Sequence, residues 1–308
     1  MSVTVVGSLN EDVLVSVDRL PGRGETVVAR DSALAPGGKG ANQAAAAGVL
    51  GGGVHMVGRV GDDPAGDRQL AALASSGVNV SRVLRTTGAP TGTATIPVEA
   101  GSGENLIVVV PGANAELAPA DVDVPSVRSA RVVLLQLEVP MEAVLEAAAL
   151  AGGAVVLTPA PPRPLPDELL ALVDVLVPNQ HELVQLAGAE PGNRSPAELA
   201  TLARGIVGPV VVVTLGANGA LLVRRDGAPA LLQPPPKVQP VDTTGAGDCF
   251  SGALAQALAG GQDLPDAVRY AVAAAALSTT GPGARGALPD DEAVRATLPG
   301  LPAAVTVG

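Results

Sequence analysis

Short runs of consecutive apolar residues recur along the chain, and segments with helical spacing separate them. The runs are at 3–7, 54–57, 132–135, 155–157, 173–177 and 210–214. A run that is apolar at every position is typical of a strand buried on both faces of a parallel sheet. Apolar residues three and four positions apart predict helices over 41–50, 67–75, 142–151, 182–186 and 197–204. The alternation predicts an α/β fold with three layers, in which helices cover both faces of a central, mainly parallel sheet.

Two segments, 12–33 and 91–110, interrupt this alternation because strand-like patterns follow each other there without a helix. They predict hairpins that leave the main sheet and form a small β lid, built from about 10–35 and 90–110. Near the end of the chain, 246–259 and 265–280 predict two long alanine-rich helices. Because no internal repeat or disordered linker divides the chain, we expect a single domain over 1–308.

Composition excludes several classes of protein. Hydrophobic residues make up 47% of the 308 residues and charged residues 16%, so the chain is globular. The net charge of −11, with no basic run and with Tyr270 and Phe250 as the only aromatic residues, argues against a nucleic-acid partner. With Cys249 as the single cysteine beside two histidines, a structural zinc site is not expected, so any metal should bind oxygen ligands.

The ends of the chain and its apolar segments bear on location. The first residues contain no basic segment, and no stretch approaches about 18 strongly apolar residues. We therefore expect neither a signal peptide nor a membrane span, and we expect the protein in the cytoplasm.

The segment 242–248, DTTGAGD, carries the strongest chemical signal. Small residues at Gly245, Ala246 and Gly247 would let backbone N–H groups at a helix N-terminus approach an anion closely. Asp248 would then lie beside that anion, where a carboxylate is suited to take a proton from an attacking hydroxyl. The alternative is a glycine-rich turn in which Asp248 interacts only with the helix dipole.

A second glycine-rich segment, 36–44 with the sequence PGGKGANQA, also opens a predicted helix. It is not a Walker A loop, because no Ser or Thr follows Lys39 and the glycine spacing differs. Its lysine and Asn42 could instead bind the hydroxyls of a polyol together with backbone groups. The alternative is a flexible connection between strand and helix.

These two motifs, in this order and at this distance, resemble the two signatures of the ribokinase-like sugar kinases, the pfkB family. The resemblance extends over nearly the whole chain. Further matching segments lie at 8–12, 24–27, 103–105, 111–115, 136–138, 179–182 and 214–219. Within the family, the pattern is most similar to the kinases that act on ribose.

The resemblance implies ATP-dependent phosphorylation of D-ribose at O-5, giving D-ribose 5-phosphate. It implies Asp248 as the general base and the backbone of Gly245, Ala246 and Gly247 as the anion hole. The implied sugar-binding residues are Asn10, Glu11, Asp12, Gly38, Lys39, Gly40, Ala41, Asn42, Glu138 and Asp248. The alternatives are a kinase for 2-deoxyribose, fructose, adenosine or pseudouridine, or a non-catalytic sensor of the same fold.

The resemblance also implies a nucleotide site, two metal ions and a homodimer that forms through the β lid. The implied ATP-binding residues are Asn179, Thr214, Leu215, Gly216, Ala217, Asn218, Gly219 and Gly247, and Glu182 would hold Mg²⁺ through water. The implied potassium ligands are Asp242, Thr244, Ser278, Gly281, Gly283 and Ala287. Ala287 departs from the family pattern, which often has a hydroxyl at that position, so we expect potassium to bind more weakly.

Four other features have simpler interpretations. Asp63 before a proline predicts a helix cap, and the G-x-G-x-x-G match at 281–286 predicts a loop, because it follows a helix and contains a proline. Cys249 predicts a buried small side chain. His181 predicts a residue on a helix surface.

Overall fold

The computed structural model describes residues 2–307, so Met1 and Gly308, the ends of the expected domain, lie outside the described residues. Within that range the chain forms fourteen strands. They are β1 (Ser2–Val6), β2 (Asn10–Val17), β3 (Asp31–Gly37), β4 (Gly53–Gly61), β5 (Val78–Thr86), β6 (Gly92–Glu99), β7 (Val108–Val110), β8 (Val132–Leu135), β9 (Ala154–Leu157), β10 (Val175–Leu176), β11 (Val210–Thr214), β12 (Ala220–Val223), β13 (Ala230–Gln233) and β14 (Val305–Val307).

Ten of these strands form the main sheet, in the order β14-β13-β12-β11-β10-β9-β8-β1-β4-β5. Every neighbouring pair from β11 to β5 is parallel. The strands β12, β13 and β14 join the β11 edge in antiparallel pairs. The central, mainly parallel sheet expected from the apolar runs is therefore confirmed.

Helices cover both faces of the main sheet. The helices are α1 (Lys39–Val49), α2 (Pro64–Ser75), α3 (Pro119–Val122), α4 (Pro125–Arg128), α5 (Met141–Leu150), α6 (Asp167–Leu172), α7 (Gln180–Leu186), α8 (Pro196–Gly205), α9 (Ala246–Ala259), α10 (Leu264–Ser278) and α11 (Asp291–Thr297). Val5 packs into the core beneath α1, α9 and α10, whereas Val6 packs into the opposite core beneath α5. Successive strand residues thus serve opposite cores, which explains why the runs are apolar throughout. None of the helices within 2–307 is long and apolar enough to span a bilayer.

The other four strands form a separate sheet, in the order β3-β2-β6-β7. The pairs β2–β3 and β6–β7 are antiparallel, as the two hairpin segments predict. The two segments also pair with each other, because β2 and β6 are parallel from Asn10 opposite Gly92 to Val17 opposite Glu99. We call this four-stranded sheet the small sheet.

Three local predictions from the sequence are confirmed, whereas the sequence pattern did not indicate one of the strands. Asp63 caps α2 by accepting a hydrogen bond from the backbone N–H of Gly66, as predicted. Cys249 is buried and His181 is exposed, also as predicted. The strand β5 was not predicted, because an edge strand that presents charged residues such as Arg82 and Arg85 to solvent lacks a continuous apolar run.

Candidate active site

The candidate site lies at the carboxyl ends of the parallel strands. Residues that follow β9 and β10 meet the N-termini of α1 and α9 around a cavity of about 140 Å³. Its lining residues are Lys39, Thr158, Ala160, Val177, Asn179, Glu182, Thr214, Gly245, Gly247, Asp248 and Ser251. Open α/β sheets bind ligands at this edge, because the loops there leave a crevice between the helices.

Asp248 lies in the first turn of α9, and two side-chain amides hold its carboxylate. Nδ2 of Asn42 donates to Oδ2 at 3.1 Å, and Nε2 of Gln43 donates to Oδ1 at 3.0 Å. Burial raises the pKa of Asp248, while Lys39 and the two amides act in the opposite direction. Both amides belong to α1, so the packing of α1 against α9 orients an acceptor carboxylate toward the cavity.

The glycine-rich start of α9 leaves room beside that carboxylate. Gly245 has a left-handed backbone with φ 75°, and a Cβ there would lie 2.6 Å from Cβ of Ala284. A Cβ on Gly247 would have no atom within 4 Å. The Ala246 N–H donates to the Thr243 carbonyl at 3.2 Å. Since the other first N–H groups of a helix have no partner within the helix, this end of α9 still offers donors to an anion in open space.

The start of α1 is packed more tightly. Gly38 has φ 85°, and a Cβ there would lie 2.7 Å from the backbone nitrogen of Asn10. The Lys39 N–H donates to Oε2 of Glu138 at 3.0 Å, and the Ser8 hydroxyl donates to the same oxygen at 2.5 Å. Glu138 is thereby fixed between the loop after β1 and the start of α1.

Two polar residues of β2 face the same region as Glu138. Asn10 is buried, and its Oδ1 accepts a hydrogen bond from Nδ2 of Asn114 at 2.7 Å. Burial, Glu138 and Asp248 raise the pKa of Asp12 to about 6, although Arg285 and Lys39 oppose the rise. Several residues expected to bind a sugar thus form a cluster of carboxylates and amides with Lys39, and Arg285, which was not among them, lies beside Asp12.

Three residues expected at the sugar site have other partners. Glu11 lies between Asn10 and Asp12 on β2, so its side chain leaves the opposite face of the strand and pairs with Arg68. The N–H of Gly40 donates to Oγ of Ser8 at 3.2 Å, and the N–H of Ala41 donates to the Ser8 carbonyl at 2.9 Å. The side chain of Glu11 therefore points away from the cluster. The backbone N–H groups of Gly40 and Ala41 hold the start of α1 against Ser8.

Asn179 and Glu182 cap α7 reciprocally at the cavity wall. Oδ1 of Asn179 accepts from the Glu182 N–H at 2.9 Å, and Oε2 of Glu182 accepts from the Asn179 N–H at 2.8 Å. Nδ2 of Asn179 also donates to Oε1 of Glu182 at 2.8 Å. Burial raises the pKa of Glu182, with the Asn179 N–H and Lys39 opposing it. Both residues thus have a local structural role in addition to their position in the cavity.

The loop expected to bind the nucleotide joins β11 to β12. Thr214 forms a bridge to Asn179, which places the start of the loop beside the cavity. The loop continues through Leu215 and an exposed 3₁₀ turn at Gly216–Asn218, which contains Ala217, and it ends at Gly219. Gly216 and Gly219 have φ values of 55° and 87°, which favour glycine.

Three of the residues expected to hold potassium, Asp242, Thr244 and Gly283, meet near the N-terminus of α9. Asp242 accepts the N–H of Thr244 at Oδ1 and the N–H of Gly283 at Oδ2, each at 2.8 Å. Although burial acts against it, these hydrogen bonds lower the pKa of Asp242. The oxygen donors available there suit a hard cation. Of the other expected ligands, Ser278 donates its hydroxyl to the Ala275 carbonyl at 2.9 Å, and a Cβ on Gly281 would lie 2.8 Å from Cβ of Ala287.

The family model described as pfkB family carbohydrate kinase matches residues 1–291. This chain belongs to that family. A ribokinase from Bacillus subtilis is 38% identical over 307 residues, which cover 96% of this chain and 99% of the relative. The pfkB-family assignment makes the protein a phosphotransferase whose acceptor is a carbohydrate.

Solved structures agree with the family assignment along nearly the whole chain. Ribokinase from Thermotoga maritima has a TM-score of 0.88 at 36% identity, and the match covers 96% of this chain and 99% of that one. Arabidopsis thaliana ribokinase complexed with ribose and ATP has a TM-score of 0.87 at 36% identity, and the match covers 96% of this chain and 98% of that one. The ribokinase-like α/β fold of this pfkB-family kinase is therefore confirmed.

Sequence reasoning missed two residues of the site. Gln43 follows Asn42 directly, but only the structure shows that it bonds to Asp248 and accepts from Nε2 of Gln136 at 2.6 Å. Arg285 lies in the glycine-rich loop at 281–286, and its guanidinium donates to Oδ1 of Asn42 at 2.9 Å. A basic residue within a glycine-rich loop was the available signal, but its partner Asn42 is 243 positions away along the chain.

Proposed function

We propose that this carbohydrate kinase transfers the γ-phosphoryl group of ATP to O-5 of D-ribose and releases D-ribose 5-phosphate. The observation that carries the proposal is the arrangement at the start of α9, where a carboxylate held by two amides lies beside an open helix N-terminus. The ribokinases among its relatives, one of them complexed with ribose and ATP, supply the substrate class.

In this proposal, Asp248 takes the proton from the O-5 hydroxyl as that oxygen attacks phosphorus. The amides of Asn42 and Gln43 orient the carboxylate, so that its free lone pairs point toward the acceptor. The backbone N–H groups at Gly245, Ala246 and Gly247 stabilise the negative charge that develops on the phosphoryl oxygens. The general base and the anion hole thus come from a single helix turn.

The sugar would lie between the small sheet and the main sheet, with the small sheet acting as a lid over it. Asn10, Asp12, Gly38, Lys39, Asn42 and Glu138 would bind its hydroxyls. Carboxylates and amides suit a polyol because they accept and donate several hydrogen bonds from fixed positions. The chain offers only two aromatic residues, Tyr270 and Phe250, both buried, which disfavours stacking of a nucleoside base.

The nucleotide would bind on the other side of Asp248. Asn179 and the loop from Thr214 to Gly219 would contact ATP, and Glu182 would hold Mg²⁺ through water. Magnesium bound with the nucleotide would neutralise phosphate charge during transfer. Within residues 2–307 no group of three or more His, Cys, Asp and Glu side chains is placed to bind a metal, so phosphate oxygens would have to complete its shell.

A potassium ion would lie beside the anion hole. Asp242 and Thr244 would hold it together with backbone carbonyls of the loop that includes Gly281 and Gly283. Ala287 contributes no side-chain oxygen at the position where a hydroxyl would complete the shell, so binding would be weaker. The ion would act by shaping the loop that contacts Gly245 through Ala284.

We also propose a homodimer that forms through the small sheet, and a cytoplasmic location. The edge strand β7 and the segment before it expose consecutive apolar side chains from Leu106 to Val110, between 45% and 62% accessible. A long apolar edge of this kind invites pairing with a second copy. Sedimentation of the parent and of a Val108→Lys variant would test the dimer.

The activity is tested by offering ribose, 2-deoxyribose, fructose and adenosine with ATP and Mg²⁺, and by measuring ADP and phosphorylated product. We expect the highest kcat/KM with ribose. A higher kcat/KM with another acceptor would show that this acceptor, and not ribose, is the substrate. No transfer to any acceptor would favour a sugar-binding or nucleotide-binding sensor.

A further inference from the structure

Arg285 connects three elements around the proposed sugar site. Its Nε donates to Oδ1 of Asn42 on α1 at 2.9 Å, and its Nη2 donates to the Gly37 carbonyl at the end of β3 at 3.2 Å. Nη2 also lies 3.5 Å from Oε1 of Gln69 on α2. The guanidinium is therefore held in one place, at the junction of the small sheet with the helices.

The third nitrogen of this guanidinium, Nη1, is buried and has no hydrogen-bond partner among the described residues. The charged groups that face Arg285 are Asp12 and Asp248. Burial outweighs both carboxylates and lowers the pKa of Arg285 to about 10. A buried charged donor without a partner is unfavourable, so this position is built to receive an acceptor.

Arg163, Arg194 and Arg224 also have a buried nitrogen without a partner, but their surroundings differ. Arg163 lies at a separate, mainly apolar cavity, and Arg194 donates to the carbonyl of its neighbour Glu190. Within the part of the chain that the structure describes, Arg285 alone among them contacts a residue that bonds to Asp248.

We infer that Arg285 is a further sugar-binding residue, whose Nη1 donates a hydrogen bond to a hydroxyl of the sugar bound between Asp12 and Asp248. The inference rests on the proposed sugar-kinase function. A sugar hydroxyl suits this position because it accepts from Nη1 while it donates to a neighbouring carboxylate. An ionised phosphate oxygen suits the position less well, because it cannot donate a hydrogen bond to the neighbouring carboxylate.

The same contacts give Arg285 a second effect on the site. Nε of Arg285 donates a hydrogen bond to Oδ1 of Asn42, and this bond fixes the orientation of the Asn42 amide. In that orientation, Nδ2 of Asn42 points toward Asp248. Loss of the guanidinium would leave this amide free to rotate. We therefore expect a large effect on sugar binding and a smaller effect on kcat.

The test compares the parent with Arg285→Ala and Arg285→Lys, using calorimetry for the sugar Kd and steady-state kinetics for both substrates. We expect the ribose Kd and KM to rise about 10- to 100-fold in Arg285→Ala, as for loss of a hydrogen bond from a charged donor. The ATP KM should change less than about threefold. Arg285→Lys should recover part of the affinity, since one donor and the charge remain.

Two controls separate sugar binding from loss of structure. Arg269→Ala removes an arginine that donates to the carbonyls of Leu298, Leu301 and Pro302 away from the cavity, and it should leave the ribose KM unchanged. Adding guanidinium at low millimolar concentration should lower the ribose KM of Arg285→Ala, because the ion can occupy the vacated space. It should not improve the parent or Arg269→Ala.

An Arg285→Ala variant with the parental ribose Kd, or with equal rises in both KM values, would overturn the inference. It would leave the proposed function intact as long as the parent phosphorylates ribose. If ribose is not the acceptor, the sugar that the parent does phosphorylate replaces it in the same comparison. A parent that binds and phosphorylates no sugar would overturn both the proposed function and the inference.

Discussion

Two helices, α1 and α9, begin with glycine-rich segments of similar appearance, but their surroundings differ. At α1, a Cβ on Gly38 or Gly40 would lie within 2.7 Å of a backbone nitrogen, on Asn10 and Ser8 respectively. At α9, a Cβ on Gly247 would meet no atom within 4 Å. The glycines of α1 are needed for close packing, whereas Gly247 leaves space open.

The backbone N–H groups at the two helix starts differ in the same way. At α1, the N–H groups of Lys39, Gly40 and Ala41 donate to Glu138 and Ser8 of the same chain. At α9, the Ala246 N–H donates to the Thr243 carbonyl, but Gly245 and Gly247 line the cavity, so the remaining first N–H groups can serve a ligand. A glycine-rich start can therefore bind an anion or fix a neighbouring loop, and the space beyond the glycine decides which.

The largest effect should come from Asp248→Asn. The amide keeps the shape of the side chain but cannot accept the proton, so kcat should fall by about 10²- to 10⁴-fold. The ribose Kd, measured by calorimetry on the same preparation, should change much less. A kcat within a few-fold of the parental value would remove Asp248 as the base.

Asn42→Ala tests whether α1 serves the sugar side of the site. The ribose KM should rise about 10- to 100-fold, while the ATP KM should stay within about threefold, because Asn42 contacts Arg285 and Asp248. Equal rises in both KM values, measured by steady-state kinetics, would contradict the assignment to the sugar side.

Gly40→Ala and Gly247→Ala form a matched pair that should separate packing from catalysis. Gly40→Ala should lower stability by about 1–3 kcal/mol, because its methyl group would lie against the backbone of Ser8. Gly247→Ala should retain the parental Tm or raise it slightly, yet lower kcat, because its methyl group narrows the anion site. Thermal unfolding and initial rates measure both effects, and the comparison fails if the two variants behave alike.

Ala287→Ser should strengthen the proposed potassium site. The added hydroxyl supplies one more oxygen ligand, so the potassium concentration for half-maximal activity should fall a few-fold. Rates with potassium, with sodium and with a bulky organic cation give the measurement. Equal rates of the parent in all three would show that the enzyme works without the ion.

The smallest effect should be a pH-dependent change in stability from Asp12→Asn. The pKa of Asp12 is raised to about 6 in the folded protein, so its contribution to stability is lost as the pH rises from about 4 to about 6. The variant should therefore gain Tm over the parent at pH 7.5 and gain less at pH 4.5. Asp31→Asn, an exposed carboxylate on the small sheet, controls for general charge effects. The same gain in Tm at pH 7.5 and at pH 4.5 would contradict the raised pKa of Asp12.

Apolar patterning predicted the central sheet well, because both faces of strands such as β1 and β8 are buried and their runs are continuous. It did not predict the pairing of β2 with β6, which joins residues about 80 positions apart and has no local signal. It also overextended β10, where the run at 173–177 contains only two strand residues.

At the candidate site, the sequence was informative where a residue acts within its own motif. Asp248 and its glycines could be singled out because they share one helix turn. Arg285 and Glu11 show the limit, since the first reaches Asn42 across the fold and the second faces away from its neighbours on β2. Contacts between distant segments depend on tertiary packing, which a local pattern does not contain.

The central claim is that Asp248 activates the O-5 hydroxyl of a sugar for attack on ATP. It is tested most directly by ³¹P and ¹³C NMR of the product formed from ¹³C-labelled ribose and ATP. We expect phosphorus coupled to C5, with one sugar phosphate formed for each ADP, and loss of this product in Asp248→Asn. ADP without sugar phosphate, or phosphate on another carbon, would contradict the account.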